Sequence, residues 1–468
     1  NEGLKLYKKY FKDILRSKPH TLSEKEEKLL ADTMEMASSP YNIFGMLSNA
    51  DFKFPTIKDS NGEDLTLSHG NFIPTLESSN RNLRERAFKA YYSVYENHKN
   101  GLGMVLQSEI KKNVFYAKTR NFNSAIEAAL FENNIPISVY ENLIKSVHKA
   151  LPDFHRYMAL RKKRLKVEEL HMYDVYTPIV EEVEFKIPYE ESQNTVLKAL
   201  EVLGDDYVEV VKSAYESGWI DVYENEGKRS GAYSFGTYDS NPFILLNYYE
   251  TLDNMYTLAH EMGHSMHSHY TRKHQEYVYG NYSIFVAEVA STCNEALLND
   301  YLLKTEKDPN KKLYILNHYL EMFRGTLFRQ TMFAEFELLI HRKYENGEAL
   351  TTDVFKEEYR KLNEKYFGPD MVIDDEIALE WSRIPHFYYN FYVFQYSTGF
   401  STAIALADQI LNEGEEAVKR YKGFLSAGNS KDPIDVLKDA GADISTGKPV
   451  DEALKLFGKL VAQMEELI

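Results

Sequence analysis

Residues 256–270 read YTLAHEMGHSMHSHY, and they constrain the fold more than any other stretch. His260 and His264 bracket Glu261 as H-E-x-x-H. Positions i and i+4 lie one turn apart on the same face of a helix, so the motif can act as a unit only if this stretch is helical. Met255, Leu258, Met262 and Met266 supply an apolar stripe on the other side, the pattern of a buried helix. Gly263 costs such a helix roughly 1 kcal/mol against alanine. Its presence points to a close neighbour, either another helix or a bound backbone. The alternative is a histidine-rich surface helix, since five of the chain's 14 histidines lie between His260 and His274.

On a helix, His260 and His264 can chelate one metal through their imidazoles. Glu261 is offset from that face, which suits a base touching a metal-bound water and not the metal. A third ligand is required to separate this reading from chance. After a turn at Gly280-Asn281 the chain reads SIFVAEVASTCNEALLNDYLL, a second helix. Glu288 lies 24 positions beyond His264, enough for an antiparallel return. Ala287, Ala290 and Ser291 are small and allow the two helices to approach closely. Glu288 is therefore the third ligand, and Glu295, on the same face, is the candidate that orients a ligand histidine from behind. A solvated glutamate is the bland reading of Glu288, disfavoured by its apolar surroundings in FVAEVAS. His267 shares the His260 face two turns away, but a fourth protein ligand would close the site to water. His269 and His274 read as surface residues and Cys293 as a small core residue. Two histidines and a carboxylate suit zinc.

Composition narrows the partners. The 468 residues suffice for a large core. With 55 Lys and Arg against 71 Asp and Glu, the net charge of −16 makes a poor phosphate binder, and no nucleic-acid partner is expected. One cysteine excludes an intrachain disulfide framework and a cysteine-based structural zinc site, and fits a reducing, cytoplasmic setting. No apolar run is long enough to span a bilayer, and the first residues carry no signal-type apolar region, so no membrane partner is expected.

Apolar periodicity reads mostly as helix. Residues 7–34 are helical with an interruption near Pro19, and Thr21-Leu-Ser-Glu24 is a capping box. FKFPTIKDSNGEDLTLSHGNF alternates around Asn61-Gly62, a β-hairpin signal. Ser79 caps a long helix through Asn97, and helices continue to about Lys166 with breaks near Pro136 and Pro152. Residues 173–187 are extended or loop, and 191–218 helical. A second hairpin pairs 232–238 with 243–248 across Asp239-Ser-Asn-Pro242, and helices run from Asp253 to the end. The clearest boundary falls near 60–75, separating an N-terminal helical segment, 1–75, from a catalytic domain, 76–468.

HEMGH followed by FVAEVAST at this spacing resembles the thimet-oligopeptidase-like zinc metallopeptidases, and within them the oligoendopeptidase F group. WSRIPHFYYNFYVFQYSTGF (381–400) and GAYSFGTYDSNPFILLNY (231–248) agree with it, and the likeness runs from HTLSEKEEKLLA to the C-terminal helix. The family usually carries roughly another hundred residues at the front, most of a small domain. Segment 1–75 is then the remainder of a larger N-terminal domain. The resemblance implies a mainly α fold: two helical lobes enclosing a deep substrate channel, with small β-hairpins near the zinc site in a zincin-type catalytic core. It implies a zinc-dependent endopeptidase acting on internal bonds of short unstructured oligopeptides, with one Zn2+ per chain and a zinc-bound water activated by Glu261. Two other readings compete. One is an exopeptidase of the same family; the other is a zinc-free helical scaffold or peptide-binding protein, disfavoured because His260, Glu261, His264, Glu288 and His386 are all intact.

The resemblance also carries roles to HFYYNFYVFQY. Relatives place a histidine and several tyrosines over the zinc from this region, matching His386, Tyr392 and Tyr396 as transition-state donors. Tyr389 shares the His386 face and is a substrate contact; Tyr388 reads as core. In the 231–248 hairpin, Gly231, Ala232 and Tyr233 belong to an edge strand that binds substrate backbone. Gly231 and Gly236 would permit close backbone approach. An ordinary structural hairpin is the alternative. Ser397-Thr-Gly399 reads as a flexible loop.

Overall fold

Apolar residues at three- and four-residue spacing, with few prolines, dictate helices. The computed structural model, which describes residues 4–180 and 186–468, is built mainly of them. Nineteen α-helices among the described residues carry the molecule, and the strands are only two or three residues long, in three small sheets. This is the expected mainly α architecture. No helix among the described residues is long and apolar enough to cross a membrane.

The histidine motif lies on the helix Leu252–His274. Thr251 begins it by accepting the Asn254 N–H at 3.2 Å. Asp253 sits in its first turn and Arg272, Lys273 and His274 in its last, matching the helix dipole at both ends. Met255, Leu258, Met262 and Met266 are all buried, as the stripe predicts, each worth about 1.5–3 kcal/mol of apolar burial. The chain returns as the helix Ile284–Thr305, packed along the first. At Gly263 a Cβ would lie 2.5 Å from the Ser291 Cα and 2.6 Å from the Ala290 carbonyl, so the glycine admits this second helix and not a substrate backbone. Two polar ties fix the rotation of the pair. Tyr256 Oη donates to Asn299 Oδ1 at 2.6 Å, and Asn294 Nδ2 donates to the Ala259 carbonyl at 3.1 Å. That rotation aims His260 and Glu288 into the same space. A third helix, Phe394–Glu413, packs on the return helix, with Gly399 against Glu288.

Several boundaries differ from the sequence reading. The capping box is Ser23 with Glu26, because the Thr21 hydroxyl is used on the Ser17 carbonyl that ends the preceding helix. The long helix is Arg81–Thr119, capped by Asn80 rather than Ser79 and continuing well past Asn97. Gly103 does not stop it, because Thr352 fills the space a Cβ would take. Pro136 caps the helix Ile137–Leu165 as expected, but Pro152 lies inside that helix without breaking it. Burial of Val147, Leu151, Phe154 and Met158 on one face outweighs the ~3 kcal/mol cost of an interior proline. The 191–218 stretch is two helices, Tyr189–Leu200 and Asp205–Glu216, separated at Gly204 with φ 90°. Residues Met172–Asp174 form a 3-10 turn at the start of the expected loop, of which 181–185 lie outside the described residues.

Both hairpins form. Thr56–Lys58 pairs with Asp64–Thr66, with Gly62 at φ 86° in the turn. Tyr233–Phe235 pairs antiparallel with Phe243–Leu245, Ser234 opposite Ile244, over a shorter span than expected. Ile220–Asp221 joins the far side of Phe243–Leu245 in parallel, a strand too short to show periodicity. Tyr233–Phe235 is thereby left at the sheet edge.

Candidate active site

His260 and His264 present their rings from successive turns, and Glu288 reaches them from the return helix. One donor atom from each lies within 4.8 Å of the others. Glu288 Oε2 is 3.3 Å from the Nε2 of both histidines. Behind His260, Nδ1 stands 3.1 Å from Glu295 Oε1. With Nδ1–H donating to that carboxylate, Nε2 is the nitrogen left to take a metal in place of its proton. Ser291 Oγ donates to Glu288 Oε2 at 3.1 Å and steadies it.

Carboxylates and imidazoles compensate one another here. Burial opposes charge on His260, yet Glu295 and Glu288 hold its pKa well above the ordinary histidine range. Burial would raise the Glu288 carboxyl, but hydrogen bonds from His260 and His264 hold it far below the usual carboxylate range. Two imidazole nitrogens and one carboxylate oxygen, with a second carboxylate behind one imidazole, fit zinc and leave a coordination position open. Glu261 is buried beside them. Burial raises its carboxyl, His260 and His264 pull it back, and the Ser234 backbone N–H donates to it. Its Oε2 is buried and has no hydrogen-bond partner. A partly desolvated carboxylate with one free oxygen has the properties of a general base.

An aromatic cluster adjoins the ligand residues through Tyr396. Pro385–Tyr388 form a short 3-10 turn, an irregular bend follows, and a helix begins at Phe394. His386 Nε2 is 3.3 Å from Tyr396 Oη. The His386 ring is parallel to Tyr392 at 6.4 Å, and Tyr392 meets Tyr396 edge-on at 5.4 Å. Tyr396 lines one cavity of about 430 Å³ together with His260, Glu288 and Glu295. Burial, with Arg329 nearby, pushes the His386 pKa down, and burial keeps the Tyr396 proton in place, so both are neutral hydrogen-bond donors. The segment is anchored in front. Arg329 and Arg383 both reach Glu380 Oε1, at 2.7 and 2.8 Å, and Tyr359 reaches Oε2 at 2.6 Å. Burial opposes the Glu380 charge, but the two guanidiniums hold its pKa at about 2.

Other sequence candidates fall on either side of this cluster. Tyr389 is exposed, 5.7 Å ring to ring from His386 and 3.5 Å from the Tyr41 hydroxyl. Tyr388 is buried against Phe44, as a core residue. His267 is buried flat on Tyr282 at 3.6 Å, away from the ligand cluster, and burial pushes its pKa down to about 3. His274 is exposed, but His269 is half-buried near Trp219 and not a free surface residue. Cys293 is buried in the core. Residues 397–399 are not a loop; they are buried within the Phe394–Glu413 helix. On the hairpin, Gly231 at φ 86° has open space around it, Ala232 is half-buried and Tyr233 exposed. Ser234 Oγ ties the strand to Ser265 of the histidine helix at 2.8 Å. Gly236 makes room for the hairpin's own Asn241 and for Arg272. Sequence reasoning missed the Ser234 amide at Glu261 and Tyr41 at Tyr389. Neither carries a local signal, since each contact joins distant segments.

The geometry can be set beside known proteins. The sequence profile of peptidase family M3 matches residues 75–456, and a second profile, described as oligopeptidase F, matches residues 1–54. The chain belongs to peptidase family M3. Oligopeptidase PepF of Bacillus subtilis (strain 168) is 55% identical over 467 residues, covering 100% of this chain and 70% of that one. Group B oligopeptidase PepB of Streptococcus agalactiae is 47% identical over 465 residues, covering 99% and 77%. The solved oligoendopeptidase-F of Enterococcus faecium is similar at TM-score 0.84 and 44% identity, covering 100% of this chain and 79% of that structure. This M3 protein is a metalloendopeptidase of the oligopeptidase F kind, with His260, His264 and Glu288 as its candidate zinc site.

Proposed function

We propose that His260, His264 and Glu288 hold one zinc ion per chain, and that Glu261 is the base for hydrolysis of internal bonds in short, unstructured oligopeptides. The observation that carries this reading is Glu288 Oε2 at 3.3 Å from both Nε2 atoms, beside a buried Glu261 whose Oε2 is unpartnered. Zinc, when bound, lowers the pKa of water and polarises a carbonyl. Glu261 takes the proton of the attacking water on its carboxylate and returns it to the leaving amine. Glu295 keeps the proton on Nδ1 of His260, so that Nε2 stays a ligand. His386, Tyr392 and Tyr396 donate to the oxyanion of the tetrahedral intermediate. The edge strand begins only at Tyr233, with Gly231 and Ala232 leading into it, and this segment offers main-chain hydrogen bonds, which are indifferent to side chains and suit varied peptides. Tyr389 contacts the substrate near His386.

The relatives' names, oligopeptidase and oligoendopeptidase, support the same substrate class. We assign residues 1–75 to an N-terminal helical segment and 76–468 to the catalytic domain. The acidic balance and the lone cysteine support a cytoplasmic enzyme without a nucleic-acid partner. The test is an unstructured peptide blocked at both ends, incubated with wild type and with Glu261→Gln and read by mass spectrometry. Internal cleavage by wild type alone is expected. Cleavage only of peptides with a free end would replace the endopeptidase reading by an exopeptidase. Equal cleavage by both proteins would remove Glu261 from the chemistry.

A further inference from the structure

The bend between His386 and Tyr396 contains two successive left-handed residues that are not glycine, Asn390 at φ 47° and Phe391 at φ 60°. Side chains disfavour this conformation, so something outside the bend must hold it. The Phe391 N–H points inward and donates to Glu337 Oε1 at 2.7 Å. Glu337 lies on the helix Arg329–Glu345 and is fully buried, with Oε2 unpartnered. One turn further along that helix, His341 Nδ1 donates to the Glu337 carbonyl at 2.8 Å, and Asn113 lies 3.3 Å from Nε2. The Phe391 ring packs on His341 at 4.5 Å. The bend thus rests on a buried polar shelf, and the next residue, Tyr392, meets Tyr396 edge-on at 5.4 Å and lies parallel to His386.

We propose that Glu337 is a positioning residue for the catalytic segment: its buried carboxyl holds the left-handed Asn390–Phe391 bend and so sets Tyr392 against His386. This rests on the roles proposed for His386 and Tyr392. Without Glu337 the Phe391 N–H would be a buried orphan, and the strained bend would lose its one carboxyl anchor. Burial pushes the Glu337 pKa up to about 8, which favours the neutral acid, and glutamine is the close mimic of that form.

The experiment compares Glu337→Leu, Glu337→Asp and Glu337→Gln, each in wild type and in Tyr392→Phe. Zinc content, kcat and KM are read on one blocked peptide. Leucine cannot accept the N–H, and aspartate is one methylene too short to reach it. The expected result is a kcat at least tenfold lower for both, with KM within about twofold and zinc content unchanged, whereas glutamine stays within about threefold of wild type. If the leucine variant does not fold, the aspartate variant carries the comparison. In the Tyr392→Phe background the same loss should shrink to under threefold, because its route to catalysis is already cut. A loss that multiplies in full in that background, or a glutamine variant no better than leucine, overturns the proposal. If Tyr392→Phe alone leaves kcat unchanged, the role given to Tyr392 falls, and the same cycle against His386→Ala decides: a shrunken loss upholds the Glu337 role and a full one overturns it.

Discussion

The two walls of the candidate site, the ligand cluster and the aromatic cluster, are built by different means. One wall is a pair of packed helices, Leu252–His274 and Ile284–Thr305, in which regular backbone presents His260, His264 and Glu288. The other is irregular: a 3-10 turn, two left-handed residues and the first turn of a new helix present His386, Tyr392 and Tyr396. Ligands for one metal need fixed spacing, and i,i+4 geometry supplies it with ordinary dihedral angles. The oxyanion donors we propose on the other wall depend on an irregular bend for the angle between His386 and Tyr392. That angle is held by tertiary contacts, with Glu380 gripped by two arginines in front and Glu337 behind.

The largest effects are expected on the regular wall. Glu288→Ala removes a ligand, and should abolish turnover and lower zinc affinity by more than the roughly 100-fold that loss of an outer partner costs. Metal content after dialysis reads this, and full retention of zinc would show that Glu288 is not a ligand. Glu295→Ala should cost a smaller 10–100-fold in zinc affinity. Competition with a chelator measures it, and wild-type affinity would mean that the 3.1 Å contact does not orient His260. A further effect concerns stability. His267 is neutral in the folded protein because burial pushes its pKa down to about 3, while the unfolded chain protonates near the usual 6.5. Its contribution is therefore full above about pH 6.5 and is lost as pH falls toward 3, at about 1.4 kcal/mol per pH unit. Urea unfolding at pH 7.5, 6 and 5 should show a shallower slope in His267→Phe than in wild type; equal slopes would contradict it.

The regular wall was legible because its signals are local. H-E-x-x-H needs only helical spacing, and Glu288 stood out as a charge inside FVAEVAS. The same signal stood at Glu337, inside FAEFELL, and could have marked a second buried glutamate. The helical fold was legible for the same reason, as was each hairpin with its turn residues. What stayed hidden depended on contacts between distant segments. Ser23 displaced Thr21 as the cap because Thr21 was engaged by Ser17, and Pro152 was carried by an apolar face buried against other helices. The left-handed Asn390–Phe391 bend left no trace in its own residues, because its anchor lies on another helix.

The division of labour between the walls is tested most directly by steady-state kinetics of Tyr392→Phe, with zinc content measured on the same sample. If the aromatic wall acts on the oxyanion alone, kcat falls by about 10²-fold, as for loss of one oxyanion donor, while KM and zinc content stay at wild-type values. A rise in KM with kcat intact would contradict the account, and would make the aromatic wall a binding surface.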